Sequence, residues 1–168
     1  MGARGRRKVR SRYGTQLAEK QQLKEIYGIR EEQLRRYYKE AQKSEEQTGR
    51  VLVELLERRL DNALYRAGWA PTRKAARQMA SHKLVTVNGR VVSVPSIRLR
   101  ENDVVAVKES KRSKEVFANF EKKLQNTALP SWITLDSKEY AFKVASLPNM
   151  EEAAVGVDIR AVVELFAR

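Results

Sequence analysis

Apolar residues recur at helical spacing along two stretches of the N-terminal part of the chain. The first stretch runs from about Tyr13 to Ala41, and Gly28 marks a break between two short helices. The second runs from about Val51 to Ala67 and predicts one amphipathic helix, which Gly68 would end. Residues 43–49 carry no apolar side chain and predict a linker. This part of the chain is therefore predicted to be helical.

A short helix and a hairpin follow. Pro71 cannot continue a helix, and Thr72 is a good N-cap for a new helix that begins at Arg73. Apolar and polar residues then alternate up to Asn88-Gly89, which predicts a two-residue hairpin turn because both turn residues need a positive φ. The chain thus passes from a helix to a hairpin within a few residues.

Further alternating segments continue beyond the hairpin. Residues 90–94, 96–100 and 104–108 predict strands of a small, twisted antiparallel sheet with two helices packed against it. Strand-like segments recur at 132–136 and 140–144, and the last eleven residues, 158–168, present an apolar helical face. The predicted fold class is α+β.

The short helix has two different sides. At about 100° per residue, Arg73, Lys74, Arg77 and Ser81 fall within one arc, and small or apolar residues fall opposite. A helix N-terminus disfavours positive charge but attracts anions. The pattern predicts that Arg73, Lys74 and Arg77 contact phosphates from a preformed surface rather than form structural ion pairs. The alternative is a solvated basic face.

The charge distribution supports a polyanionic partner. The chain of 168 residues has a formal net charge of +13. Residues 1–50 hold 14 Lys/Arg and 7 Asp/Glu, residues 51–110 hold 11 and 6, and residues 111–168 hold 9 and 8. The last third is therefore not expected to be the main contact. Residues 1–12 carry six cations and no acid, which predicts an arm that only a partner orders, or else an unimportant terminus.

The composition of the chain excludes several classes of protein. No run approaches the roughly 18 consecutive apolar residues of a membrane span, so no membrane partner is expected. With no cysteine and a single histidine, neither a disulfide nor a metal site is expected, and no cofactor is predicted. His82 is expected to cap a helix C-terminus, with an RNA contact as the less favoured alternative. Trp69 and Trp132 are expected in the core.

Longer motifs carry a resemblance to a known family. The run LLERRLDNALYRAGWAPTRKAARQMASHKLVTVNGRVV resembles the S-four-type RNA-binding module, in which two helices and a β-hairpin form one basic surface. The flanking YGTQLAEKQQLKEIYGI and the C-terminal VELFAR are similar to the S-four family of bacterial-type small-subunit ribosomal proteins. The resemblance covers essentially the whole chain.

This resemblance implies a domain organisation. A helical domain, residues 1–50 with its basic arm, would be rejoined by residues 153–168. Residues 51–152 would form an inserted α+β domain that contains the RNA-binding module at about 55–115. The family usually has about forty more residues before the sequence GAR, often with a zinc-binding cysteine cluster. Their absence from this sequence is expected to reflect a truncation, a lineage with a reduced N-terminus or an alternative start, and no zinc role is carried over.

The resemblance also implies partners. The protein would be a structural constituent of the small ribosomal subunit in the cytoplasm and would bind the five-prime domain of small-subunit ribosomal RNA (rRNA) early in assembly. It would contact neighbouring small-subunit proteins, especially protein five, and the path by which mRNA enters the subunit, and so contribute to decoding accuracy. Some family members also repress their own operon.

The candidate RNA-binding residues are cationic or polar and lie in the arm, the first helix and the module. They are Arg4, Arg6, Arg7, Lys8, Arg10, Arg12, Tyr13, Gln16, Lys20, Lys24, Arg58, Arg59, Arg66, Thr72, Arg73, Lys74, Arg77, Gln78, Ser81, Lys83, Asn88 and Arg90. Structured RNA is bound largely through shape, phosphates and sugar hydroxyls, which suits Arg and Lys on rigid elements.

Other classes of function fit less well. The same module also tethers catalytic domains to RNA, but the sequence has no Gly-rich phosphate loop and no nucleophile with a paired histidine, so an enzyme is not predicted. A membrane-surface protein would need one strongly amphipathic basic helix, whereas here the cations are predicted to lie on a folded hairpin module, so this class is not favoured. The serious alternative is a regulatory RNA-binding protein that acts away from the ribosome.

Overall fold

The computed structural model describes residues 11–153 and 155–168. The helices in that part of the chain are α1 Arg12–Tyr27, α2 Glu31–Gln42, α3 Thr48–Glu57, α4 Leu60–Arg66, α5 Arg73–Ser81, α6 Phe120–Gln125, α7 Met150–Ala153 and α8 Ile159–Phe166. The strands are β1 Val85–Val87, β2 Arg90–Val91, β3 Val104–Val107, β4 Ile133–Asp136 and β5 Ala141–Val144. Single 3₁₀ turns cover Glu109–Lys111 and Glu115–Phe117.

The break between α1 and α2 is confirmed. Gly28 ends α1 in the left-handed region, at φ +66°, and its N–H donates to the carbonyl of Glu25. A Cβ at this position would come within 2.6 Å of the Arg77 guanidinium, so the glycine also allows a close approach from α5.

The prediction of one helix over Val51–Ala67 is wrong, because the chain breaks between α3 and α4. Arg59 is extended there, at φ −63° and ψ 139°, and pairs with Arg98 in an isolated β-bridge. The N–H of Leu60 donates to the carbonyl of Ile97 at 2.8 Å, and the N–H of Leu99 donates to the carbonyl of Arg58 at 2.8 Å. Backbone groups that a continuous helix would satisfy internally thus form hydrogen bonds with residues 96–100. The strand predicted at 96–100 is also wrong, because among the described residues this segment forms only the one bridge.

The sheet is antiparallel and has the strand order β2-β1-β3-β5-β4. Val87 lies opposite Arg90, and the turn residues between them, Asn88 and Gly89, have φ values of +51° and +82°. The hairpin is therefore the two-residue type that the sequence predicted. The predicted α+β class is also confirmed.

Two separate hydrophobic clusters form the interior. The helical cluster is built from α1, α2, α3 and α8, with Leu23, Leu34 and Leu56 fully buried. The sheet cluster joins α4, α5 and α6 to the inner face of the sheet. Trp69 and Trp132 are buried in this second cluster, as predicted. Packing changes from one cluster to the other between Glu57 and Leu60, whereas the boundary expected at residue 51 lies inside α3.

Candidate nucleic-acid interface

Helix α5 is fixed at its start and at its end. The Thr72 hydroxyl accepts a hydrogen bond from the Ala75 N–H at 3.0 Å, which confirms the predicted N-cap. His82 is the C-cap, and its backbone N–H bonds the last turn, also as predicted. Lys83 follows in the left-handed region at φ +61°. Ala76, Met79 and Ala80 bury the inner face of α5 against the sheet cluster.

A group of polar and cationic side chains on α5 and the hairpin is exposed to solvent. Within residues 11–153 and 155–168, its cations Lys74, Lys83 and Arg90 form no ion pair. We call these three residues the free cations. The exposed neighbours on the same elements are Thr72, Gln78, Ser81 and Asn88. The Asn88 side chain bonds to Asp103 and to the Val104 N–H at 2.9 Å each, and thereby holds the hairpin turn against β3.

Four of the six candidate arginines of the module instead form a largely buried polar junction between the two clusters. We use the term junction for Glu57, Arg59, Asp61, Asn62, Arg66, Arg73 and Arg77, with Tyr27 and Tyr37. The Arg59 guanidinium donates to both Asp61 carboxylate oxygens, at 3.1 and 3.0 Å, and to the Tyr37 hydroxyl at 3.0 Å. Burial lowers the pKa of Arg59, but the Asp61 carboxylate outweighs it and raises the pKa overall.

The arginines of α5 point into this junction. Arg77 donates to the backbone carbonyls of Tyr27 and Gly28, and its Nε lies 3.5 Å from the Asp61 carboxylate. Arg73 donates to the Asn62 amide oxygen at 2.9 Å. Its guanidinium also lies over the rings of Tyr27 and Tyr65, at 4.9 and 4.5 Å from their centroids. Burial lowers the pKa of Arg73.

Glu57 closes the junction on the side of the helical cluster. Its carboxylate is buried, accepts one hydrogen bond from the Asn62 amide, and pairs with Arg66 at 2.8 Å. Arg66 also donates to the carbonyl of Ala153 at 3.0 Å. Burial, together with the Glu57 carboxylate, raises the pKa of the Tyr27 hydroxyl. Charged groups buried this deeply need such partners, because an unpaired buried charge is costly.

The candidate residues of α1 are also engaged within the fold. Gln16 is only 2% exposed, and its side chain bonds to Glu164 at 3.1 Å and to Arg168 at 3.0 Å. Arg12 pairs with the same Glu164 at 3.0 Å. Tyr13 is 51% exposed, with the Arg168 guanidinium 5.4 Å from its ring centroid. These contacts attach the start of α1 to the end of α8.

Lys20 and Lys24 share one carboxylate, that of Glu31 at the start of α2, at 2.7 and 3.2 Å. Burial raises the pKa of Glu31, but hydrogen bonds from both lysines outweigh it and lower the pKa overall. Arg58 is engaged within the fold as well, because it donates to the carbonyl of Leu99 at 2.9 Å and pairs with Glu54 at 3.4 Å. The other candidates lie outside the described residues: Arg4, Arg6, Arg7, Lys8 and Arg10.

Comparison with known proteins identifies the family. Residues 58–105 match the S4 domain, and residues 1–57 match the ribosomal protein S4/S9 N-terminal domain. Small ribosomal subunit protein uS4 of Herpetosiphon aurantiacus is 41% identical over 169 residues, which cover 99% of this chain and 80% of that protein. Its counterpart in Paraburkholderia phymatum is 42% identical over 158 residues, which cover 94% of this chain and 76% of that protein. The chain belongs to the uS4 family. The resemblance seen in the sequence is confirmed.

Within this uS4-family fold, one expectation about the arginines is corrected. We expected Arg73 and Arg77 to contact phosphates from a free surface, with no structural ion pair. The structure instead directs both guanidinium groups into the junction, where Arg77 pairs with Asp61. The reason is the geometry of α5, since the side of the helix that carries them faces Tyr27 and Gly28. Lys74, which directly follows Arg73 in the sequence, stays exposed as expected.

The junction acids were not identified from the sequence. Glu57 and Asp61 are buried although acidic residues are almost never fully buried unless paired. A signal was present, because these acids and Asn62 interrupt a stretch that is otherwise rich in Leu, Ala and Arg. Most of their partners are close in the sequence, since Arg59 pairs with Asp61, and Asn62 and Arg66 contact Glu57. Helical spacing alone does not show that these contacts are buried between the two clusters, or that Arg77 of α5 also pairs with Asp61.

In the described ranges 11–153 and 155–168, no group of His, Cys, Asp or Glu side chains could hold a metal ion. Over the same ranges, no helix combines the length and apolar character needed to cross a bilayer.

Proposed function

We propose that this uS4-family protein is a structural constituent of the small ribosomal subunit and binds small-subunit rRNA through the free cations of α5 and the hairpin. The observation that supports this most directly is the exposure of Lys74, Lys83 and Arg90 on rigid elements, with no ion pair among the described residues. Cations that the fold does not use are available for phosphates, and rigid placement reduces the ordering cost of binding.

The junction has a separate role in this proposal. It holds α5 and the hairpin at a fixed position relative to α1 and α2, so that cations on both units can contact one RNA surface at the same time. Shape recognition of folded RNA needs such a fixed spacing between contacts. We place the boundary between the helical unit and the module near residue 58, in accord with the change of packing between Glu57 and Leu60.

The more specific parts of this proposal rest on the membership of the chain in the uS4 family. We propose the five-prime domain of the rRNA as the binding site, protein five as a protein neighbour, and a position beside the path by which mRNA enters the subunit. The cytoplasm is the corresponding location. The arm residues Arg4, Arg6, Arg7, Lys8 and Arg10, together with Arg12, would add phosphate contacts, because they form a run of cations without an acid.

The test is a binding titration of the purified protein against a transcript of the five-prime domain and against an unrelated folded RNA of similar length. A ribosomal constituent should bind the first much more tightly at physiological salt, whereas equal affinities would contradict the proposal. Sedimentation of the endogenous protein then distinguishes the alternative. A ribosomal constituent travels with small subunits, and a regulatory RNA-binding protein stays in the free fraction.

A further inference from the structure

A groove of about 510 Å³ runs along the side of α5 that faces away from the junction. Its apolar lining comes from α5, from the segment before it, from the residue before β1 and from the 3₁₀ turn at Glu115–Phe117. The apolar lining residues are Trp69, Ala70, Pro71, Ala75, Met79, Leu84 and Val116. Gln78, His82 and Lys114 supply polar groups, and Glu115 is the one acid among the lining residues. Its volume lies in the range of small-molecule sites.

The position of this groove follows from the helical period of α5. At about 100° per residue, Ala75 and His82 lie on one side of the helix, and the junction residues Arg73 and Arg77 lie on nearly the opposite side. Lys74 lies between these two sides. An RNA strand held at the exposed side of α5 therefore passes the opening of the groove.

The side chains of two lining residues have no hydrogen-bond partner among the described residues. Trp69 is 5% exposed, and its ring packs edge-on against Phe120 and Phe142, at centroid distances of 5.3 and 5.0 Å. Its Nε1–H is buried and has no hydrogen-bond acceptor among the described residues. Buried donors are normally satisfied, and this unpaired donor belongs to a residue that lines the groove. The exposed His82 uses its backbone N–H as a cap, which leaves the imidazole ring free to contact a ligand.

We infer that this groove receives one unpaired base of the bound RNA. A base has a flat apolar face for the lining and for the His82 ring, and acceptor atoms that the exposed Gln78 amide can satisfy. A shift of the Trp69 ring on binding would bring its Nε1–H to another acceptor of the base. Lys74 and Lys114 are placed beside and within the groove to contact the flanking phosphates. This inference rests on the proposed function, because the base would belong to the RNA that the free cations hold.

The charge around the groove favours a nucleotide over an apolar side chain of a neighbouring protein. Lys114 lines the groove together with one acid, Glu115, and Lys74 lies beside the groove on α5 with no ion pair within the part of the chain that the structure describes. An apolar side chain would fill the lining but would not use these cations. A phosphate-flanked base uses both the lining and the charge.

The experiment combines a groove-filling variant with changes in the RNA. Ala75→Leu fills the groove, and Ala118→Leu is the matched control, because Ala118 is exposed and lies outside the lining. Each unpaired nucleotide of the five-prime-domain RNA is replaced in turn by an abasic one, and dissociation constants are measured for both variants and the unaltered protein. One abasic position should weaken binding of the unaltered protein and the control about 5- to 100-fold. Ala75→Leu should show that loss already with intact RNA, and no further loss at that abasic position.

A second readout covers the case in which Ala75→Leu fails to fold. Trp132→Phe leaves Trp69 as the single tryptophan of the chain. RNA binding should change the emission of Trp69, and the RNA with the critical abasic position should leave it unchanged. The double variant Gln78→Ala and His82→Ala alters exposed residues only, and should reproduce the loss of affinity for intact RNA.

Three results would overturn the inference. In the first, the unaltered protein discriminates the five-prime domain normally, but Ala75→Leu does not abolish the effect of any abasic position. That result would leave the proposed function intact. The second is normal binding of Ala75→Leu to isolated RNA with failure to join small subunits, which would assign the groove to a protein side chain. The third is no discrimination by the unaltered protein, which would remove the proposed function as well.

Discussion

The guanidinium of Arg59 and the carboxylate of Asp61 face each other across two hydrogen bonds, at 3.1 and 3.0 Å, and their side chains are only 4% and 3% exposed. Because this pair lies where α3 gives way to α4, it stabilises the break as well as the contact between the clusters. Removing one partner of a buried pair leaves the other charge without compensation.

Asp61→Ala should therefore reduce the free energy of unfolding by about 3–5 kcal/mol. Urea denaturation followed by circular dichroism measures this change. Glu101→Ala is the control, because Glu101 is exposed and should change stability by no more than about 0.5 kcal/mol. Equal stability of the two variants would show that the junction does not hold the units together.

Arg73 and Lys74 are adjacent in the sequence but should behave in opposite ways. Arg73→Ala removes the hydrogen bond to Asn62 and the contacts with two tyrosine rings, and should cost about 1–3 kcal/mol of stability. Lys74→Ala should leave stability within about 0.5 kcal/mol. It should instead lower the slope of log K against log salt for RNA binding by roughly 0.7–0.9, one phosphate contact. A stable Arg73→Ala protein with a reduced salt slope would restore the phosphate role that the structure argues against.

Lys83 occupies a left-handed position, φ +61°, where glycine is the usual residue after a helix. Lys83→Gly should stabilise the protein by about 0.5–1 kcal/mol, since a residue with a Cβ is strained there. The same change should weaken RNA binding, because it removes a free cation. Lys83→Ala should show the loss of affinity without the gain in stability. Thermal melting and RNA titration of the two variants separate the effect of backbone strain from the effect of the lost charge. A Lys83→Gly protein that is less stable than the unaltered one would contradict the strain assigned to Lys83.

Local signals in the sequence were sufficient for several elements. Gly28 between α1 and α2, the Thr72 cap and the Asn88-Gly89 hairpin were predicted because each depends on residues within a single turn. The break at Arg59 was missed because it depends on pairing with Arg98, far along the chain.

The same distinction applies to the site. Charge patterns identified α5 as cationic, but they could not show which cations the fold itself uses. Arg77 reaches the carbonyl of Gly28, 49 residues earlier in the chain, and helical spacing carries no information about such a partner. The free cations were among the candidates, together with arginines that only the three-dimensional contacts assign to the junction.

Glu40 on α2 accepts two hydrogen bonds from Arg98, one of them at 2.7 Å, and so ties the helical unit to the module. The hydrogen bond from Arg98 lowers the pKa of Glu40 below its ordinary value of 4.5. The folded protein therefore binds fewer protons here than the unfolded chain, and the stabilisation is complete above about pH 4.5 and lost as the pH falls through the lowered pKa.

Glu40→Gln should consequently cost up to about 1 kcal/mol at pH 7 and progressively less below pH 4.5. Urea denaturation of both proteins at several pH values measures the difference, in which the titration of other carboxylates cancels. A difference that stays constant down to the acid limit would mean that the ion pair contributes nothing.

The most direct test of RNA binding through the free cations is the salt dependence of affinity for the five-prime-domain RNA. The variant replaces Lys74, Lys83 and Arg90 with alanine. The control replaces Lys122, Lys123 and Lys138, three exposed cations of the near-neutral last third, and so removes the same charge. The account predicts that the first variant lowers the slope of log K against log salt by about 2–3 and loses discrimination against an unrelated RNA, and that the control keeps both. Equal slopes in the two variants would contradict it.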